Sequence, residues 1–179
     1  PISEMLSSNV TFVMGTAQTI DRTHKRITLS GGDVIEYDKL VLSLGSVTTY
    51  FDIPGLSELS YGIKNEYALQ ALREHFHSSL IQQHGLDTNY IVVGGGPTGV
   101  ELAAGLASYL RFLAKSHHVK RRAVHLELVE ASQRILPTLS ERASLEATKR
   151  LKKLHVKVMV NKKVEAETAL SLKLDDLTL

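Results

Sequence analysis

The residue types best suited to chemistry sit in one short run, Gly94-Gly95-Gly96-Pro97-Thr98-Gly99. Its glycines at first, third and sixth place fit a turn that cradles a pyrophosphate. One bends the chain tightly, the next lets the phosphate approach the backbone, and the third lets a helix close on a strand. A carboxylate completes the pattern. Glu130 ends the alternating run His125-Leu126-Glu127-Leu128-Val129, and an acid at the tip of the next strand can accept both ribose hydroxyls of NADH while repelling the extra phosphate of NADPH. Together these residues imply dinucleotide binding, with NADH preferred.

Such a turn works only between a strand and a helix. Ile91-Val92-Val93 is an unbroken apolar run of the kind that makes a strand buried on both faces of a parallel sheet. Val100 to Leu113 reads as helix, and the free amides and dipole at its start would face the phosphates. Without these flanks the glycines could be an ordinary loop, since short motifs recur by chance. Glu130 stands further beyond the glycines than the usual spacing of about 20 residues. A lengthened helix and loop over Ser108 to Arg122 absorbs the excess.

Bulk properties set the outer bounds. A chain of 179 residues, 43% hydrophobic, can bury one moderate domain, or a domain with part of another. Its 21 basic and 19 acidic side chains leave +2, which does not suggest a nucleic-acid binder. The lack of cysteine excludes disulfides, thiolate metal sites and dithiol chemistry within the chain. No apolar run approaches the roughly 20 residues that span a bilayer, and no secretory leader is present. The expectation is a soluble, cytoplasmic protein without a transmembrane segment. A start at Pro1 instead of Met suggests a processed or excised segment.

Taken in order, Ile2 to Leu6 could end a helix. Val10 to Met14, Arg26 to Leu29 and Val34 to Tyr37 read as strands of a small antiparallel meander, the last two joined by a tight hairpin at Ser30-Gly31-Gly32-Asp33. Lys39 to Leu44 reads as a buried strand ending at Gly45-Ser46, where the backbone can come close to a ligand or simply turn. Val47 to Gly62 is a connector punctuated by Pro54-Gly55. A helix from Glu66 to Leu80, capped by Asn65, would bury Leu69, Leu72, Phe76 and Leu80. His75 and His77 cannot share a helical face well, which argues against a metal pair. Gln82 to Thr88 lead into the central strand.

His117, His118, Lys120, Arg121 and Arg122 form a basic link, read as solvated loop in preference to an anion-binding patch because no aromatics are interleaved. Ser140 can cap a helix to Leu154 with Ala143, Ala147, Leu151 and Leu154 facing inward. Lys149, Arg150, Lys152 and Lys153 in its last turns complement the helix dipole. Val156 to Val160 would be a third parallel strand, so that strand, helix, strand, helix, strand make half a Rossmann unit. The tail, Val164 to Leu179, reads as short antiparallel strands.

The segments NVTFVMGTAQTID, YDKLVLSLGSVTTYFDIPGL, EYALQALREHF, IVVGGGPTGVELAAGLA and ELVEASQRILP, in that order, resemble the two-dinucleotide flavoprotein reductases, and most closely the type II NADH:quinone oxidoreductases. The resemblance implies an α/β fold: a Rossmann-like NAD-binding domain with a parallel sheet plus antiparallel meander over residues 53–179, preceded by a partial flavin-domain segment over 1–52. It implies NADH as cofactor, and FAD in the full-length protein, with hydride passing from NADH to FAD and electrons to a quinone. It assigns cofactor binding to Gly94, Gly95, Gly96, Pro97, Thr98, Gly99, Glu130 and Gly45. By the same resemblance Glu101, two residues past the third glycine, lies near nicotinamide and flavin as the catalytic candidate. The helix dipole alone also accounts for an acid there.

The family's own flavin fingerprint has no counterpart before Val10, so the fragment alone is not expected to be catalytically competent. The full-length protein would be peripheral on the inner face of a membrane, would take no nucleic acid and is compatible with a homodimer. Two rivals remain at this stage. One is a domain of another FAD/NAD(P)H reductase, acting on disulfide, ferredoxin or peroxide. The other is a non-catalytic nucleotide-binding or interaction module.

Overall fold

A computed structural model describes residues 5–82, 88–116 and 124–179. The chain divides into two units, Pro1–Gly45 and Ser46–Leu179. The sequence expectation put the division after residue 52; Tyr50, between the two boundaries, packs with the second unit.

The first unit is a meander of β1 (Ala17–Asp21), β2 (Arg26–Leu29) and β3 (Val34–Glu36), antiparallel and paired in that order. Its opening strand differs from the expected Val10 to Met14, and a local turn explains why. The Asp21 carboxylate accepts the amides of Thr23 and His24 at 2.9 Å each, and Lys25 takes a positive φ of 53°. This closed turn pairs Asp21 with Arg26, so the partner of β2 must be the segment just before Asp21. Gly32, at φ 90°, makes the second turn as expected.

Lys39 to Leu44 is not a strand. No described segment pairs with it, and Val41, Leu42 and Leu44 are exposed. Apolar composition gives the segment a tendency to be covered, but a strand also needs a neighbour for its N–H and C=O groups. The expected helix end at Ile2 to Leu6 lies largely outside the described residues, as do most of Gln82 to Thr88 and the basic link at 117–122.

The second unit is built on a parallel sheet of β4 (Thr88–Val93), β5 (Val124–Val129) and β6 (Val156–Met159), in that spatial order. Three helices join the same core: α2 (Glu66–Gln82), α3 (Pro97–Ser116) and α4 (Glu141–Lys153). Alternation along the strands sends Tyr90, Val92, Leu126, Leu128 and Val156 into the helical layer, where they meet Phe76, Ala103, Leu110, Leu113 and Leu151. The opposite residues Ile91, Val129 and Met159 meet a second apolar cluster. That cluster comes from a short helix α1 (Leu56–Leu59) and the hairpin β7 (Val164–Thr168) and β8 (Ser171–Leu174). Apolar clusters thus meet both sheet faces, but the run expected to be buried on both faces is so only in part: Val92 is buried, Ile91 half-buried, and Val93, where the chain leaves the sheet, is 43% exposed.

The helix boundaries follow from caps. The Asn65 side chain accepts the Ala68 amide at 2.8 Å and starts α2; Ser140 does the same for Ala143 at 3.2 Å and starts α4. The expected stripe on α2 needs one correction: Leu72 and Phe76 are buried, but Leu69 is 46% exposed. The side chain of Leu80 lies outside the described residues. On α4 the stripe is as read, with Leu151 buried and Ala143, Ala147 and Leu154 half-buried.

Candidate functional site

β4 and β5 run parallel and end side by side, with Val93 opposite Val129. The chain leaves the sheet at Gly94 on one strand and at Glu130 on the other. Gly94 has φ 102°, a value only glycine adopts without strain, and its amide still reaches the Val129 carbonyl at 2.8 Å. Pro97 opens α3, where the missing N–H costs nothing and the fixed φ favours the helix. The first bond running back along the helix is Val100 N–H to Gly96 O, 3.0 Å. The amides of Thr98 and Gly99 lie before that bond and have no helical carbonyl to reach, so the helix start presents donors.

The third glycine is required by packing. A Cβ on Gly99 would overlap the Gly94 carbonyl oxygen and also touch Val92, so α3 can lie this close to β4 only with hydrogen at that position. Gly96 has open space where a Cβ would stand. The middle glycine faces the acid: a Cβ on Gly95 would come within 2.9 Å of the Glu130 side chain.

The Glu130 carboxylate accepts two amides, Gly95 N–H on Oε2 and Ser132 N–H on Oε1, both at 2.6 Å. Its own backbone is fixed to the end of β6: Glu130 N–H donates to Met159 O at 2.8 Å, and Lys162 N–H donates to Glu130 O at 3.0 Å. Partial burial alone would raise the pKa of this carboxyl. Hydrogen bonds from the Ser132 hydroxyl and from the amides of Ser132, Gly95 and Ala131 outweigh that, and hold it below the ordinary glutamate value. The group is a fixed anion at the mouth of the glycine turn.

Of the sequence-predicted residues, the structure brings together Gly94, Gly95, Gly96, Pro97, Thr98, Gly99 and Glu130. Glu101 is exposed on the first turn and a half of α3. Gly45 is the last residue of the first unit, with φ 73° and open space at its Cβ position.

Sequence reasoning missed three residues that hold the turn. Ser132 caps the acid, as described. Leu136, at φ 51° with its side chain buried, donates its amide to the Gly95 carbonyl at 2.7 Å. Arg134 spans the loop between them, its guanidinium donating to the carbonyls of Leu136 and Pro137 at 2.8 Å and of Leu139 at 2.9 Å. A small polar residue two places after a strand-end acid was a readable signal for the first. The other two act through backbone carbonyls, which leave no mark in sequence.

The cradle fits a dinucleotide on structural grounds: a positive-φ turn, a glycine whose Cβ has no room, a donor-rich helix start and a fixed anion beside it. Among the described residues, no group of His, Asp or Glu side chains could hold a metal ion.

The family model for pyridine nucleotide-disulphide oxidoreductases matches residues 2–177. A type II NADH:quinone oxidoreductase of Staphylococcus epidermidis is 30% identical over 148 residues, 79% of this chain and 37% of that protein. Its counterpart in Staphylococcus aureus is 28% identical over the same shares. The chain thus spans little more than a third of the length of these relatives. A ferredoxin reductase from Rhodopseudomonas palustris superposes with a TM-score of 0.68 at 19% identity, over 93% of this chain and 38% of that one. The structure of NDH2 from Plasmodium falciparum in complex with NADH superposes with a TM-score of 0.66 at 21% identity, over 89% and 35%. At such identities the structural matches establish the fold.

Proposed function

The chain belongs to the pyridine nucleotide-disulphide oxidoreductase family, a family of oxidoreductases, and on that premise we propose that it carries the NADH-binding domain of a flavin-dependent NADH dehydrogenase. In this reading residues 53–179 are the nucleotide domain and 1–52 a partial flavin-domain segment with Gly45 near the flavin. The observation that carries it is the Glu130 carboxylate fixed on the Gly95 amide at 2.6 Å, where the acid and the phosphate cradle meet.

The residues divide the work. Gly94, Gly95 and Gly96, with Pro97, Thr98 and Gly99 at the start of α3, receive the pyrophosphate on backbone amides. Glu130 offers its carboxylate oxygens to the two ribose hydroxyls, and its charge opposes a 2′-phosphate. Glu101, exposed in the first turns of α3, is assigned to orient the carboxamide end. The chemistry supplied by the bound cofactors is hydride transfer from NADH to FAD and two-electron transfer on to a quinone. Among the described residues the one strand, glycine turn and helix of this kind is assigned here to NADH, and no second cradle serves a flavin. The protein's part in this chemistry is distance and orientation.

The curated relatives' names include quinone, and quinone is the proposed acceptor of the whole protein, acting at a membrane surface as a homodimer. No helix among the described residues is long and apolar enough to cross a membrane. Titration of the purified chain, followed by NADH fluorescence, tests the reading. Saturable NADH binding is expected, with NADPH weaker by at least about tenfold, because like charges brought together in a site cost several kcal/mol. No saturable binding of either nucleotide would instead favour an interaction module.

A further inference from the structure

We propose that Arg134 is a positioning residue for nucleotide selectivity, holding the loop after β5 so that Gly95 and Glu130 stay in one fixed arrangement. The inference rests on the NADH reading above. Arg134 is the only basic residue in the loop 131–140. A cation just beyond the strand-end acid could serve a 2′-phosphate, but here the guanidinium turns inward. Its donors go to three carbonyls of its own loop, those of Leu136, Pro137 and Leu139, at 2.8, 2.8 and 2.9 Å. A planar fork suits several acceptors in fixed directions, which an ammonium does not match.

What the fork holds is the peptide that grips the glycine turn. Leu136 stands in left-handed conformation at φ 51°, with its side chain and that of Ile135 buried in the helical core. Its amide donates to Gly95 O at 2.7 Å, while Gly95 N–H donates to Glu130 at 2.6 Å. Gly95 is thus held on both sides of its residue by one loop, once through the main chain of Leu136 and once through the side chain of Glu130. The carbonyl of Ser132 also receives the Asn161 amide, at 3.0 Å, which ties the start of the loop to the end of β6. Without Arg134 the carbonyls of Leu136, Pro137 and Leu139 lose their side-chain donor, the Leu139 amide on Leu136 O at 2.9 Å remains, and the peptide that grips Gly95 is less firmly held.

The consequence is selective. Both nucleotides rest their pyrophosphate on the turn, but NADH alone also gains from the acid standing in register with it. Arg134→Ala should weaken NADH binding on the order of tenfold or more and NADPH binding less, so that the ratio between them falls. Arg134→Lys keeps the charge and the apolar stem, and covers the case in which R134A does not fold; it should fail to restore the ratio. An unchanged ratio in R134A, or a wild-type ratio in R134K, overturns the proposal. Amide exchange without nucleotide separates this idea from the reading beneath it. Faster exchange at Gly95 and Leu136 in the variants supports the clamp even if wild type binds neither nucleotide. Unchanged exchange at both amides rejects the clamp.

Discussion

The carboxylate of Glu130 and the amide of Gly95, 35 residues apart in sequence, lie 2.6 Å from one another at the paired ends of β4 and β5. This bond makes one site of two loops. With the Ser132 amide on the other oxygen, it fixes the acid without a ligand. It also explains why the middle position of Gly94-Gly95-Gly96 is glycine, since a side chain there would stand where the carboxylate does.

Two alanine substitutions separate packing from binding. Gly99→Ala places a methyl group on the Gly94 carbonyl oxygen, backbone that cannot rotate away. It should lower stability by about 1–3 kcal/mol or more and remove nucleotide binding. Gly95→Ala meets the Cβ and Oε2 of Glu130 at 2.9 Å, a looser overlap than that of Gly99→Ala on main chain, so it should cost less stability while still weakening NADH. Thermal melts and NADH titrations of both variants check the order; equal melting temperatures for the two would contradict it.

Stability should depend on pH through Glu130. Its folded pKa lies below the ordinary glutamate value. The stabilisation is therefore complete above the unfolded pKa and is lost as pH falls through the folded one. Melting temperatures of wild type and Glu130→Gln should differ most near neutral pH and converge in acid. A difference that grows as pH falls would reverse the sign.

Glu167 on β7 should behave in the opposite way. Its Oε2 is buried without a hydrogen-bond partner among the described residues, and burial raises its pKa. An acid with a raised folded pKa weakens the fold as pH rises from the unfolded value through the folded one. Glu167→Gln should raise the melting temperature at neutral pH, with the gain vanishing below the ordinary glutamate range. A lower melting temperature at neutral pH would mean that the carboxylate is better satisfied than its surroundings indicate.

The helical layer should be sensitive at its centre. Leu128 is fully buried, at 0% exposure, where β5 meets α2, α3 and α4. Leu128→Ala should cost about 2–5 kcal/mol, read by urea unfolding, whereas Leu145→Ala on the exposed side of α4 should change stability by less than about 0.5 kcal/mol.

Much of this architecture was legible because its signals are local. Asn65 and Ser140 announce helix starts through their own side chains, the glycine run announces the turn, and the alternation before Glu130 announces β5 and its tip. The misreadings share one cause, which is that a segment's partner is not written in the segment. Val10 to Met14 and Lys39 to Leu44 have strand-forming composition, yet neither is a strand, since a turn at Asp21 selects another segment and no described neighbour pairs with the second. Leu69 fits a helical stripe, yet no partner covers it among the described residues and it stays 46% exposed. Arg134 could be read as a charge but not as a clamp, because its three acceptors are main-chain oxygens whose directions exist only after folding.

The central claim is that Glu130 stands at the ribose of a nucleotide held by Gly94 to Gly99, and its most direct test is the NADH to NADPH affinity ratio in Glu130→Ala beside wild type. Wild type should favour NADH by at least about tenfold, and the variant should lose that preference chiefly by weaker NADH binding and stronger NADPH binding. If the ratio is the same in both proteins, the carboxylate does not face the ribose and the account is contradicted.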